Sequence, residues 1–94
     1  MHRATAADAV SGFVGARDLV VVDRGVRKIE REGVYLVEID GAIRLRSCSR
    51  DIETGTVIVF APIPGLPSQT IPAPQLARLR VMGRAVAVVF RELP

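Results

Sequence analysis

The sequence predicts an all-β domain, a small sandwich or partly closed barrel. Three observations lead there. Apolar residues recur at every second position in short β-branched runs, and no segment shows the three-and-four spacing of an amphipathic helix. An Asp40-Gly41 pair separates two of these runs and is the strongest short signal for a two-residue hairpin turn. Five of the six prolines fall within 61–74. Proline lacks the ladder N–H and fixes φ, so that stretch is an irregular loop or an edge and not a central strand.

Residues 1–7 are small, polar and aperiodic, which predicts a flexible tail before a domain spanning 8–94. DLVVVD (18–23) is a β-branched run bounded by acids and reads as a strand. RGVRKIEREG (24–33) is charged, carries two glycines and reads as a connection. GVYLVEID (33–40) is a second strand with Tyr35, Val37 and Ile39 on one face and Val34, Leu36 and Glu38 on the other. After the Asp40-Gly41 turn, AIRLRSC (42–48) returns, with Ile43 and Leu45 directed inward and Arg44 and Arg46 on the opposite face. SRDIETG (49–55) is a polar turn and TVIVF (56–60) a further strand. Beyond the proline-rich stretch, 75–79 suits one short helical turn, and VMGRAVAVVF (81–90) is a long apolar strand interrupted by Gly83.

A chain of 94 residues allows one small domain. Hydrophobic residues make up 49% and charged residues 24%, which excludes a disordered chain. A mean hydropathy of +0.30 is on the apolar side and predicts surface hidden against a partner. Thirteen Lys and Arg against ten Asp and Glu leave +3, too mild an excess for a stand-alone nucleic-acid binder. The single cysteine, Cys48, excludes an internal disulfide and a cysteine-based zinc site, and it points to a reducing, cytoplasmic compartment. His2, the one histidine, lies in the expected tail, so a histidine-based triad has no base. No apolar run reaches membrane-helix length, and the opening MHRATAAD has no apolar core of a signal peptide.

Motifs for cofactors and metals are missing: no G-x-G-x-x-G, no P-loop, no paired histidines. No cofactor and no metal are therefore expected. Glu30/Glu32 and Asp51/Glu53 are carboxylates at alternate positions whose plainest reading is solvated turns. Arg44 and Arg46 on one strand face are candidates to bind a phosphate or carboxylate, against the plainer reading of a solvated face. Four aromatics are too few for a stacking platform on single strands. Cys48 ends a strand and reads as a small buried hydrophobe rather than a nucleophile.

The order GARDLVVVD, VRKIEREGVYLVEIDGAIRLRSCSR, TVIVFAP, LRVMGRAVAVVF resembles the C-terminal domain of LexA-like and lambda-repressor-like phage repressors. The likeness covers about residues 7–91 and is best over GVYLVEIDGAIRLR and VMGRAVAVVF. It implies the LexA-like peptidase type of β fold. Domains of that family are self-cleaving peptidases with a Ser/Lys dyad. Here the segment 7–14 stands where the serine motif belongs: Asp8 matches, but Ala9 holds the nucleophile position, Val10 the methionine position and Gly12 the proline position. Arg46 holds the position of the catalytic lysine. Alanine offers no nucleophile, and arginine keeps its proton and cannot be the base. Ser11 lies two residues beyond the nucleophile position, ~6.6–6.8 Å along a strand, too far to substitute. The only lysine, Lys28, lies in the charged connection and matches no catalytic position.

The expectation is a non-catalytic oligomerisation and regulatory domain of a phage-type transcriptional repressor, whose helix-turn-helix DNA-binding domain is absent from this chain. Operator DNA is then contacted only through that separate domain, with an antirepressor or inducer protein as a further partner. Two alternatives stand beside it. One is an active self-cleaving peptidase whose serine was replaced by Ala9; the other is a stand-alone protein-interaction module. In the final strand Gly83, Ala85 and Ala87 alternate with Met82, Val86 and Val88, and both faces are apolar. In the LexA-like family the C-terminal strand lies at the dimer interface. Both point to a homodimer, or a higher oligomer, through Ala85, Ala87 and Val89.

Overall fold

The computed structural model describes residues 2–3, 19–62 and 65–89. Antiparallel strands β1 (His2–Arg3), β2 (Leu19–Asp23), β3 (Gly33–Ile39), β4 (Ala42–Arg50), β5 (Val57–Val59), β6 (Gln69–Ile71) and β7 (Leu79–Val89) make one sheet. Its order is β1-β2-β7-β3-β4-β5-β6. The protein is all-β, as the alternation predicts. Instead of the two layers of a sandwich, the described residues form a single curled sheet. Val57 of β5 and Leu79 and Val81 of β7 line one cavity although β3 and β4 lie between their strands. Flat strands 4.7–4.9 Å apart would hold them about 14 Å apart, so the sheet bends round on that face. The curl stops short of a barrel, since no ladder joins β6 to β1 among the described residues.

The β3–β4 hairpin turns at Asp40 and Gly41, which take φ of 50° and 86°. Positive φ at both central residues is the geometry that matches strand twist in a two-residue turn, and Asp-Gly tolerates it. The turn sets Ile39 opposite Ala42 and Leu36 opposite Leu45. Asp51, Thr54 and Gly55 build the next turn: the Gly55 N–H donates to the Asp51 carbonyl at 2.8 Å, and the Glu53 N–H to Asp51 Oδ1 at 2.9 Å. The proline-rich stretch contains the edge strand β6 and leads into a 3₁₀ helix, Ala73–Arg78, entered through Pro72. No helix among the described residues is long and apolar enough to cross a membrane.

Apolar cores lie on both faces. The larger joins Tyr35, Val37, Cys48, Val57, Val59, Ile71, Leu79 and Val81 with Ile29 from the 24–31 connection. The smaller joins Val20, Leu36 and Leu45, with Val22, Val34, Met82 and Ala85 packed against it. Full burial of a Val, Leu or Ile side chain, as at Val20, Leu36, Val37, Leu45 and Ile71, is worth about 1.5–3 kcal/mol.

Four sequence expectations are corrected. His2–Arg3 are not tail but pair with Leu19 and Val20 of β2; Ala9 and the rest of 4–18 lie outside the described residues. Ile43, expected inward, is 41% exposed near the hairpin tip, while Leu45 beside it is fully buried. The face carrying Arg44 and Arg46 is the face of the larger core, because Arg44 stands opposite Val37 and Arg46 opposite Tyr35. Finally, the last strand starts at Leu79 and lies inside the sheet, between β2 and β3.

Candidate functional site

Of the two dyad positions suggested by resemblance, Arg46 is described and Ala9 is not. Arg46 stands opposite Tyr35, which in turn stands opposite Arg84, so the three form a row across β4, β3 and β7. The Arg46 side chain is half-buried and donates from Nη1 to the Leu45 carbonyl at 2.7 Å. Arginine at this place supplies a fixed cation and no proton acceptor. Tyr35 between the two arginines is buried, and its hydroxyl donates to the Arg31 carbonyl at 2.8 Å.

Cys48 belongs to the larger core. Its Sγ lies 3.6 Å from the Arg46 carbonyl oxygen. Burial pushes its thiol up to about 12, and the nearby Arg46 charge lowers it only in part. The sulfur is therefore a thiol at neutral pH, without the thiolate a nucleophile needs. The Asp51 carboxylate accepts from the Glu53 N–H within its own turn, and the Glu53, Glu30 and Glu32 side chains are exposed. Arg44 is exposed, with Nη1 donating to the Ile43 carbonyl at 2.8 Å. Among the described residues no group of three His, Cys, Asp or Glu side chains is placed to hold a metal.

The final strand is where sequence parity misleads. On the β2 side, Ala87 stands opposite Val21 and Ala85 opposite Val22, leaving Val86 as an extra residue. This bulge reverses the alternation. Ala85 packs on the smaller core with Val22, while Ala87 is exposed, so Ala85, Ala87 and Val89 do not form one row. A second register shift, between Leu36 and Val37, leaves Met82 as the extra residue on the β3 side.

The central position of β7 is only half used on each side. β3 pairs with Leu79–Arg84 and β2 with Arg84–Val89. From Ala85 onward, the β7 edge that continues the β3 side has no ladder partner among the described residues. A groove of about 490 Å³ runs along it, between Ala85, Val86, Ala87 and Val88 on one side and Glu32, Gly33, Val34 and Ser47 on the other. Val86 and Val88 are 57% and 47% exposed there.

Arg84 lines this groove and also a second cavity with Arg27, Lys28 and Arg31. Two features of the sequence signal that convergence: a lone cation in an apolar strand and a charged connection. Neither said that they meet. No protein-family model and no curated protein matches the chain.

Proposed function

We propose that the chain is a non-catalytic oligomerisation and regulatory domain of a phage-type transcriptional repressor, built on the LexA-like peptidase type of β fold. One observation carries the reading: the ordered resemblance across the strands places Ala9 and Arg46 at the two dyad positions, and neither residue performs the dyad's chemistry. DNA contact belongs to a separate helix-turn-helix domain, in a cytoplasmic protein. A self-associating domain then raises affinity by linking two DNA-binding modules. Induction proceeds without proteolysis, through an antirepressor or inducer protein.

The half-free edge of β7 supports self-association. An antiparallel two-fold pairing of 85–89 puts Ala87 opposite its own copy, with a small side chain at the axis. Val86 and Val88, exposed in one chain, are covered in the pair.

Two measurements test the reading. Incubation near pH 10, where a dyad lysine loses its proton, with a substrate carrying a family-type cleavage site should give no products, and Ala9→Ser alone should remain inactive. Specific serine-peptidase products overturn the non-catalytic assignment. In sedimentation at about 100 μM the chain should run as a dimer or larger, and Ala87→Arg as a folded monomer. A monomeric wild type removes the oligomerisation role.

A further inference from the structure

We propose that the cavity between the 24–31 connection and β7 binds a phosphate-bearing small molecule, held by Arg84 from the strand and by Arg27, Lys28 and Arg31 from the connection. The cavity has a volume of about 590 Å³. Its described charged lining is these four cations and one carboxylate, Glu30, a formal excess of three positive charges. Cations gathered in a concave site focus a positive potential and favour an anion with more than one charge.

Arg84 is the decisive residue. Its Nε is buried with no hydrogen-bond partner, and no ion pair is made by its guanidinium among the described residues. Arg78 and Arg80, its neighbours along the chain, each reach a carboxylate: Asp40 at 3.3 Å and Glu38 at 3.9 Å. Arg84 is half-buried; a buried guanidinium N–H without an acceptor is costly, and an anion in the cavity offsets that cost. The local build keeps the guanidinium in place. It lies over Gly33, where a Cβ would come within 2.9 Å of Nε and 3.2 Å of Nη2. Tyr35, which also lines the cavity, ties the Arg31 carbonyl to the sheet through its hydroxyl, so the connection is anchored beside Arg84.

The chemistry favours phosphate over carboxylate. The Gly25 N–H already donates to Asp23 Oδ1 at 2.9 Å, and the Val26 N–H to the Asp23 carbonyl at 3.4 Å, so recognition falls to side-chain cations. A guanidinium fork matches two oxygens of one phosphate, and a phosphoester or diphosphate carries about two or more charges against the excess of three. A single carboxylate leaves most of that excess uncompensated. The volume is many times the ~30 Å³ share of one water, leaving room for an organic substituent beyond the phosphate. This assignment stands on its own residues and does not depend on the repressor reading.

The test titrates the full chain with pyrophosphate and, separately, citrate at constant ionic strength, following backbone amides and arginine Nε–H signals by NMR. Pyrophosphate should shift the Arg84 Nε–H and the amides of 25–31. It should bind more tightly than citrate, which matches its charge without phosphorus. Arg84→Gln and Lys28→Gln should each weaken it about tenfold or more, while Arg44→Gln, an exposed cation outside the cavity, should not change it. Lys28 is exposed, so its variant keeps the test valid if Arg84→Gln unfolds. Absent shifts at these positions, an equal loss in Arg44→Gln, or citrate binding as tightly as pyrophosphate overturns the assignment.

Discussion

At Gly83 the backbone of β7 passes so close to β2 that an added Cβ would lie 2.8 Å from the Asp23 carbonyl oxygen and overlap the Val22 side chain. Backbone cannot yield as a side chain does, so Gly83→Ala should cost about 1–3 kcal/mol, read as a lower urea midpoint with unchanged slope. Gly33 is the contrasting case. A Cβ there meets chiefly the Arg84 guanidinium, the far end of a flexible side chain, so Gly33→Ala should cost less than Gly83→Ala while displacing Arg84. Cys48 gives the molecule an alkaline liability. Its thiol is at about 12 folded against an ordinary value of 9.0. Above the lower value the unfolded chain releases the proton and the folded chain retains it. The contribution is thus complete below pH 9 and is lost as pH rises towards 12, at about 1.4 kcal/mol per pH unit. Cys48→Ala should flatten that part of the stability–pH curve; an unchanged slope in the variant assigns the alkaline loss to other groups.

Among the elements, the β3–β4 hairpin was the most legible, because its information is local: alternation on both arms and a turn pair suited to positive φ. Gly41 at φ 86° is a position a branched side chain occupies only under strain, so Gly41→Val should destabilise by about 1–2 kcal/mol in thermal or urea unfolding. A neutral effect would mean the hairpin re-forms with another turn. β2, β5 and the short helical turn before β7 were readable in the same local way. What the sequence concealed was pairing. Nothing in VMGRAVAVVF says that it inserts between β2 and β3, nor that Val86 and Met82 are extra residues in opposite ladders. Alternation reads a strand against itself, and a bulge becomes visible only against the neighbour. Ala85 and Ala87 fall on different faces for that reason. The Arg44/Arg46 face, by contrast, was correctly grouped from alternation alone, although its burial was not.

For the whole molecule, the half-shifted pairing of β7 matters most. Among the described residues, the seven-stranded sheet has two outer edges, at β1 and β6, and the stagger between β2 and β3 leaves a third edge within it, along 85–89. Unpaired strand edges invite pairing with another chain, and proteins commonly guard them with lysine, proline or inward charge. This edge carries instead Ala85, Val86, Ala87 and Val88, all uncharged, with Val86 and Val88 substantially exposed. Self-pairing satisfies the free backbone groups without disturbing the β2:β7 ladder, so association should protect amides locally. Hydrogen exchange compared at about 10 μM and about 500 μM should slow, at the higher concentration, for those amides of 85–89 not bonded to β2. Amides in the β3:β4 ladder, already bonded within one chain, should exchange at the same rate at both concentrations. Val88→Lys places a charge on the exposed edge and should abolish the concentration dependence while leaving the thermal midpoint of the dilute protein unchanged. A wild-type β7 that exchanges independently of concentration, in a chain that still sediments as a dimer, moves the contact away from this edge.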